Sequence, residues 1–296
     1  MYSGIVCIDK PEGFTSFDVV AKLRGIYETK KIGHTGTLDP MATGVLCVCV
    51  GKATKAVELL TAHDKRYVTT MLLGRSTDTG DITGETIDEA PVNLTEDKVK
   101  EVILSFVGEY EQIPPMYSAK KVGGRKLCDL AREGKVVERK PVLIKLSDIV
   151  IEKINLPEVT FSVSCSSGTY IRVLCEDIGK KLGVPSTMSY LRRLKVGNFD
   201  LDDSFGFDEL NNLKEAGRLE ESLLKIDDAF SYKRVILPKS FDIPLKNGAK
   251  IEKAFLKEEN VVLDENEKYL FYTNDGQFVG IYHFVDEFVR PLKMFI

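Results

Sequence analysis

The chain has 296 residues, enough for one large domain and a small one, and its 43% hydrophobic share supports a real core, with no apolar run near the roughly 18 residues of a membrane helix. A net charge of −4 argues against a uniformly basic nucleic-acid binder, and six cysteines without a C-x-x-C pair argue against a disulfide framework. His34, His63 and His283 are too scattered for a zinc site, and Met1-Tyr2-Ser3-Gly4 shows no leader, so a cytoplasmic protein with reduced core thiols is expected.

In chain order, Gly4–Asp9 reads as a buried strand, ended by the turn Lys10-Pro11-Glu12-Gly13. Ser16 is placed to cap a helix running to about Thr29, with Val19, Val20, Leu23 and Ile26 at helical spacing. A Gly- and Thr-rich loop, Ile32 to Thr43, leads into the strand Val45–Val50. Lys52 to His63 is expected to be helical, Arg66–Leu73 a strand, Gly74–Gly84 a loop, and Thr95–Phe106 a helix capped by Thr95.

The next segment, Ile113 to Pro141, has little apolar periodicity and reads as a long, partly mobile excursion. Between Lys120 and Lys140 it carries eight basic residues against three acidic ones, while acidic residues collect at Glu85–Glu101 and Asp200–Asp228. A basic stripe on an acidic body suits a phosphate-binding face. Strands Leu143–Ile151 and Val159–Ser164 follow, then a helix Tyr170–Leu182 closed by Gly183, a strand Leu191–Val196 and a helix Phe207–Ala216.

After Ser231 the texture changes to short strands: Arg234–Leu237, Val261–Leu263, Tyr269–Tyr272 and Phe278–His283. The expected organisation is α+β: a mixed sheet with flanking helices over residues 1–231, including the basic insertion at about 113–141, and a small β-rich domain over 232–296.

The densest chemical signal is the run from Gly33 to Leu46. Asp39-Pro40 is by itself a helix-start signature, but too few residues separate it from the following strand for a useful helix. The surrounding glycines and threonines let the backbone approach a ligand and leave one carboxylate facing a cleft, as nucleophile or base.

Gly36, Leu38, Asp39, Pro40, Ala42, Gly44 and Leu46 match in register the G-x-L-D-P-x-A-x-G-x-L signature of TruB-type pseudouridine synthases, which the segment therefore resembles. Asp9–Gly13, Lys65-Arg66-Tyr67, Thr77–Asp81, Pro115–Ala119, Gly168–Arg172 and Tyr190–Leu194 are similar to further family segments. The resemblance implies a pseudouridine synthase catalytic domain and a C-terminal PUA-type domain. It implies isomerisation of uridine in the T-arm of tRNA by an enzyme acting as a monomer, with no cofactor, metal, membrane or obligatory protein partner.

The resemblance further implies Asp39 as the essential carboxylate, Arg172 as the partner that keeps it ionised, and Tyr67 stacking on the extruded uracil and moving its C5 proton. Leu191 and Tyr170 would lie against the base, His34 would fill the space it leaves, and Asp81 would contact substrate or order its loop. Lys10, Lys65, Arg66, Lys120, Lys121, Arg125 and Lys126 are candidate phosphate contacts. Two alternatives stay open: a guide-RNA-dependent relative, and an RNA chaperone without catalysis.

Overall fold

A computed structural model of the chain describes residues 2–258, 261, 263–264 and 267–296. The first strand, β1 (Gly4–Lys10), leads to helix α1 (Ser16–Ile26). Its cap is Thr15, one residue before the expected Ser16. Asp18, three residues on, makes Thr15 half of a reciprocal box: the Thr15 hydroxyl accepts from Asp18 N–H at 3.0 Å, and the Asp18 carboxylate accepts from Thr15 N–H at 2.8 Å. Ser16 is thereby free to bond both the N–H and the carbonyl of Leu38, at 2.9 and 3.2 Å, tying the helix to the Asp39 loop.

Short strand β2 (Ile32–His34) lies within the expected loop and pairs with β3 (Thr43–Val50). A 3-10 turn (Gly51–Ala56) and a short α2 (Val57–Thr61) replace the single helix expected over Lys52–His63. Next come β4 (Lys65–Leu73), the ribbon β5 (Arg75–Thr77) and β6 (Thr86–Glu89), α3 (Glu96–Leu104) and β7 (Gly108–Gln112). Three of these strands, β5 to β7, are absent from the sequence reading, because their short polar runs carry no apolar alternation.

The basic insertion is more ordered than expected. It folds a hairpin of β8 (Lys121–Val122) and β9 (Arg125–Lys126), then α4 (Leu127–Arg132). Gly123 and Gly124 both take positive φ, 58° and 82°, the conformation a two-residue primed turn demands. A Gly-Gly pair that reads as loop is here a hairpin turn.

The chain continues with β10 (Val142–Asn155), β11 (Glu158–Cys165), α5 (Ile171–Leu182), β12 (Ser186–Val196), β13 (Phe199–Asp200) and α6 (Phe207–Glu215). Gly183 closes α5 in the left-handed conformation, φ 77°. The main sheet runs β1-β3-β12-β4-β11-β10-β7, with β2 on β3 and β13 on β12. Every pairing is antiparallel except β12 with β3. That parallel pair carries the site: Arg193 lies beside Gly44 on one side and Tyr67 on the other. Helix α5 lays Ile171, Leu174 and Ile178 on Tyr67, Met71, Met188 and Leu191, each fully buried aliphatic side chain stabilising by about 1.5–3 kcal/mol.

The C-terminal region has β14 (Lys233–Ile236), α7 (Asp242–Lys246), β15 (Ile251–Glu252), α8 (Lys253–Glu258), β16 (Lys268–Tyr272), β17 (Phe278–Val285) and β18 (Phe288–Met294). Its sheet order is β14-β16-β17-β18-β15. Of the expected strand Val261–Leu263, Val262 lies outside the described residues. Val261 and Leu263 are in no strand; Leu263 buries its side chain in the local core. Leu270, Ile281 and Phe295 pack with Cys47, Cys49 and Val196 in one apolar cluster that joins the two sheets. Among the described residues no helix is long and apolar enough to cross a membrane.

Candidate active site

The Asp39 loop is fixed from below before it meets anything in the cleft. Ser16 grips Leu38, and the Lys10 ammonium donates to the carbonyls of Pro11, Phe14 and Pro40 at 2.9, 2.5 and 3.2 Å. Gly44, at φ 97°, lets the chain enter β3 against β12; a methyl there would collide with the Arg193 backbone carbonyl. The Asp39 side chain, 33% exposed, is left at the floor of a cleft of about 540 Å³.

Arg172, on the first turn of α5, lies 3.0 Å from the Asp39 carboxylate through Nε. Its Nη1 donates to the Thr79 carbonyl and its Nη2 to the Tyr117 carbonyl, both at 2.7 Å. A guanidinium gripped on three sides is a fixed positive point. Asp81 stands behind it at 4.0 Å and binds its own loop instead of the cleft: its Oδ1 accepts from the hydroxyls of Thr79 (3.0 Å) and Thr83 (2.5 Å) and from Thr83 N–H (3.1 Å).

The electrostatics of the pair are a balance of burial and charge. Burial pushes the Asp39 carboxyl above the usual carboxylate range; Arg172 opposes that shift without cancelling it, and the Asp81 charge adds to it. Arg172 therefore limits the rise. Tyr67, on β4 directly across from Arg193, is buried, which pushes its phenol up and keeps it protonated. Leu191, on β12, and Tyr170, at the head of α5, complete the wall around Asp39. Tyr170 is held by Gln112, which accepts from its N–H at 2.8 Å and donates to its carbonyl at 3.1 Å.

The candidate phosphate contacts separate. Lys10 is fully buried with its donors on three carbonyls, so it clamps the loop and presents nothing to a phosphate. Burial lowers its pKa to about 8. Lys65 lines the cleft, donates to the Thr61 carbonyl at 2.7 Å, and is likewise lowered by burial to about 8. Arg66, its neighbour, takes the opposite face of β4, exposed, with Ser162 at 3.5 Å. Of the insertion, Lys121, Arg125 and Lys126 are exposed and Lys120 half-buried. Arg125 is paired with Glu133; among the described residues the three lysines have no ion pair.

His34 is half-buried, and its Nδ1 is buried without a partner. Burial, with the charges of Arg193 and Lys126, lowers its pKa and favours the neutral ring, the form suited to stacking. The sequence reading missed Arg193, which is 2% exposed, lines the cleft, and donates from Nε to the Val45 carbonyl at 2.6 Å and from Nη2 to the Gly36 carbonyl at 3.2 Å. Its signal was a basic residue two positions after Leu191, at a buried position of the strand.

Comparison with known proteins agrees with this geometry. Residues 24–171 match the model of the TruB family pseudouridylate synthase N-terminal domain, and residues 172–239 the tRNA pseudouridylate synthase B C-terminal domain. The tRNA pseudouridine synthase B of Clostridium kluyveri is 41% identical over 294 residues, covering 99% of each chain; that of Bacillus subtilis is 42% identical over 301 residues, covering 99% of this chain and 95% of the relative. Among solved structures, a chain from a Cbf5–Nop10–Gar1 complex superposes with a TM-score of 0.76 at 26% identity, covering 99% of this chain and 85% of the other. One from an H/ACA ribonucleoprotein bound to a substrate RNA containing 2′-deoxyuridine gives 0.74 at 25%, covering the same shares. With full-length relatives at this identity and a family model matching residues 24–171, the chain belongs to the TruB family of pseudouridylate synthases.

Proposed function

We propose that the chain converts uridine to pseudouridine at position 55 of tRNA, drawing the base out of the T-loop into the cleft. The observation that carries this reading is the Asp39 carboxylate held 3.0 Å from Arg172 at the floor of a cleft walled by Tyr67 and Leu191. The names of its relatives support tRNA as the substrate. Asp39 is the essential carboxylate. Tyr67 stacks on the uracil and transfers the C5 proton, and Leu191 and Tyr170 bound the base. Asp81 orders the loop behind Arg172. Extruding a base costs a few kcal/mol, and His34 offers a neutral ring for the vacated stack. Lys120, Lys121 and Lys126 are the phosphate contacts the geometry favours; Lys65 faces the base cleft instead.

Residues 1–231 form the catalytic domain and 232–296 a PUA-like RNA-binding domain, in a cytoplasmic monomer that needs no protein partner and no cofactor. The reaction moves one glycosidic bond within one nucleotide, so it calls for positioning and proton transfer and for no net redox change. The protein incubated with unmodified tRNA transcript, followed by carbodiimide modification and primer extension, is expected to give a stop at position 55; no stop there rejects the reading. The likeness to a protein of a Cbf5–Nop10–Gar1 complex motivates a second reading, which activity dependent on added guide RNA would favour.

A further inference from the structure

Arg193 is the largest of the fully buried side chains, and among the described residues no carboxylate pairs with it. Lys65, which lines the same cleft, is also buried, and among the described residues it has no ion pair. Burial first, and then the Arg193 charge, lower the Lys65 pKa. Burying two unpaired cations in one cleft is unfavourable unless an anion arrives to share the site. Part of the cost is met by the carbonyls of Gly36, Val45 and Thr61, which accept from the two side chains. Carbonyl dipoles solvate a cation and leave its net charge facing the cleft.

Two anions could reach this wall: a backbone phosphate, or the uracil itself. The neighbours decide between them. Arg193 stands across from Tyr67 and two residues from Leu191, an aromatic and an aliphatic side chain suited to a base and unsuited to a phosphate. In the isomerisation the N1–C1′ bond breaks with its electron pair staying on the base, which spreads the charge over N1, O2 and O4. A base electron pair then forms the C5–C1′ bond, the C5 proton is removed, and N1 gains a proton, so atoms and electrons balance.

We propose that Arg193, seconded by Lys65, stabilises the negative charge on the uracil while it is detached from the ribose, on the wall facing the Asp39–Arg172 pair. This rests on the proposed function. Charge that appears only as the bond breaks is what a pre-placed cation in a dry cleft stabilises best, because nothing must reorganise when it forms. Arg193 serves two ends with one side chain: Nε and Nη2 brace both sides of the Asp39 loop, and the delocalised charge faces the base.

The test is single-turnover kinetics on tRNA transcript with Arg193→Gln, Arg193→Lys and Lys65→Met, alongside tRNA affinity at several salt concentrations. Arg193→Gln is expected to slow the saturating rate about 10²–10³-fold. Its Kd should stay within about threefold and its salt slope should not change. Arg193→Lys should recover at least about tenfold of that loss, since it keeps the charge and gives up the brace. Equal slowing by Gln and Lys overturns the proposal in favour of a brace alone. A salt slope shallower by about one, with the saturating rate intact, overturns it in favour of a phosphate contact. Should Arg193→Gln not fold, Lys65→Met decides: about tenfold slower turnover supports the proposal, and an unchanged rate overturns it. Wild-type turnover in the same assay keeps the two claims apart. No product from the wild type rejects the proposed function, whereas normal wild-type turnover with unimpaired variants rejects only the role of Arg193 and Lys65.

Discussion

Cations in the cleft wall and cations on the insertion put similar groups to opposite uses. Lys10, Lys65 and Arg193 are buried, and their donors go to the carbonyls of Pro40, Thr61 and Val45. Lys121 and Lys126 stand in solvent on a two-strand hairpin, with Lys120 half-covered at its base. A buried donor must be matched, so the first set fixes geometry. A hydrated ammonium keeps its counterions until a polyanion releases them, so under the proposed function the second set is assigned to affinity. Adjacency in the chain says nothing about membership: Lys65 and Arg66 are neighbours, and the pleat of β4 sends them to opposite faces.

The sharpest way to break this division is Arg172→Met. It removes the partner of Asp39 and both carbonyl braces, and turnover at saturating tRNA is expected to fall about 10²–10³-fold. The pH profile gives the sign. Burial already raises the Asp39 pKa and Arg172 holds it down, so ionised Asp39 is lost as pH falls through a value above the usual range. Without Arg172 the acid limb of the rate–pH profile moves to higher pH; a limb that stays or moves down contradicts the electrostatic assignment. Next in size is Lys10→Met, which leaves three carbonyls without their donor. It should lower the saturating rate about tenfold and reduce Tm, with an unchanged salt slope. A flattened slope would return Lys10 to the RNA interface.

Replacing Lys120, Lys121 and Lys126 by Gln should do the converse. The saturating rate holds, while the plot of log affinity against log salt flattens by about one per lysine. Arg125→Gln alone should change it less, because Glu133 already occupies that guanidinium. The smallest effect is a probe. Cys128 on α4 is half-exposed and the other five thiols are buried. A maleimide should therefore label Cys128 first, and tRNA should slow that labelling; equal rates with and without tRNA would place the insertion away from the bound RNA.

Much of the candidate site was legible because the Asp39 loop is local: the signature from Gly36 to Leu46 lies in one run, and the resemblance it carries singles out Asp39. The long elements read well for the same reason, as in the helix ended by Gly183, where periodicity and cap agree. What escaped was non-local. Lys10 looks like a surface lysine in a turn until Pro40, thirty residues on, is seen to accept from it. Arg193 is an ordinary arginine in sequence and becomes part of the cleft through its register with Gly44 and Tyr67, two strands distant in the chain. The ordered insertion was missed because the turn that folds it is made of the residues that also make loops.

The most direct measurement on the central claim is Asp39→Asn, assayed for pseudouridine formed in one turnover and for tRNA affinity in the same buffer. The account predicts no pseudouridine above background and a Kd within about threefold of the unaltered protein, since the RNA is held mainly through phosphates outside the cleft. Turnover that survives the loss of this carboxylate, or binding that falls as far as activity does, would contradict it.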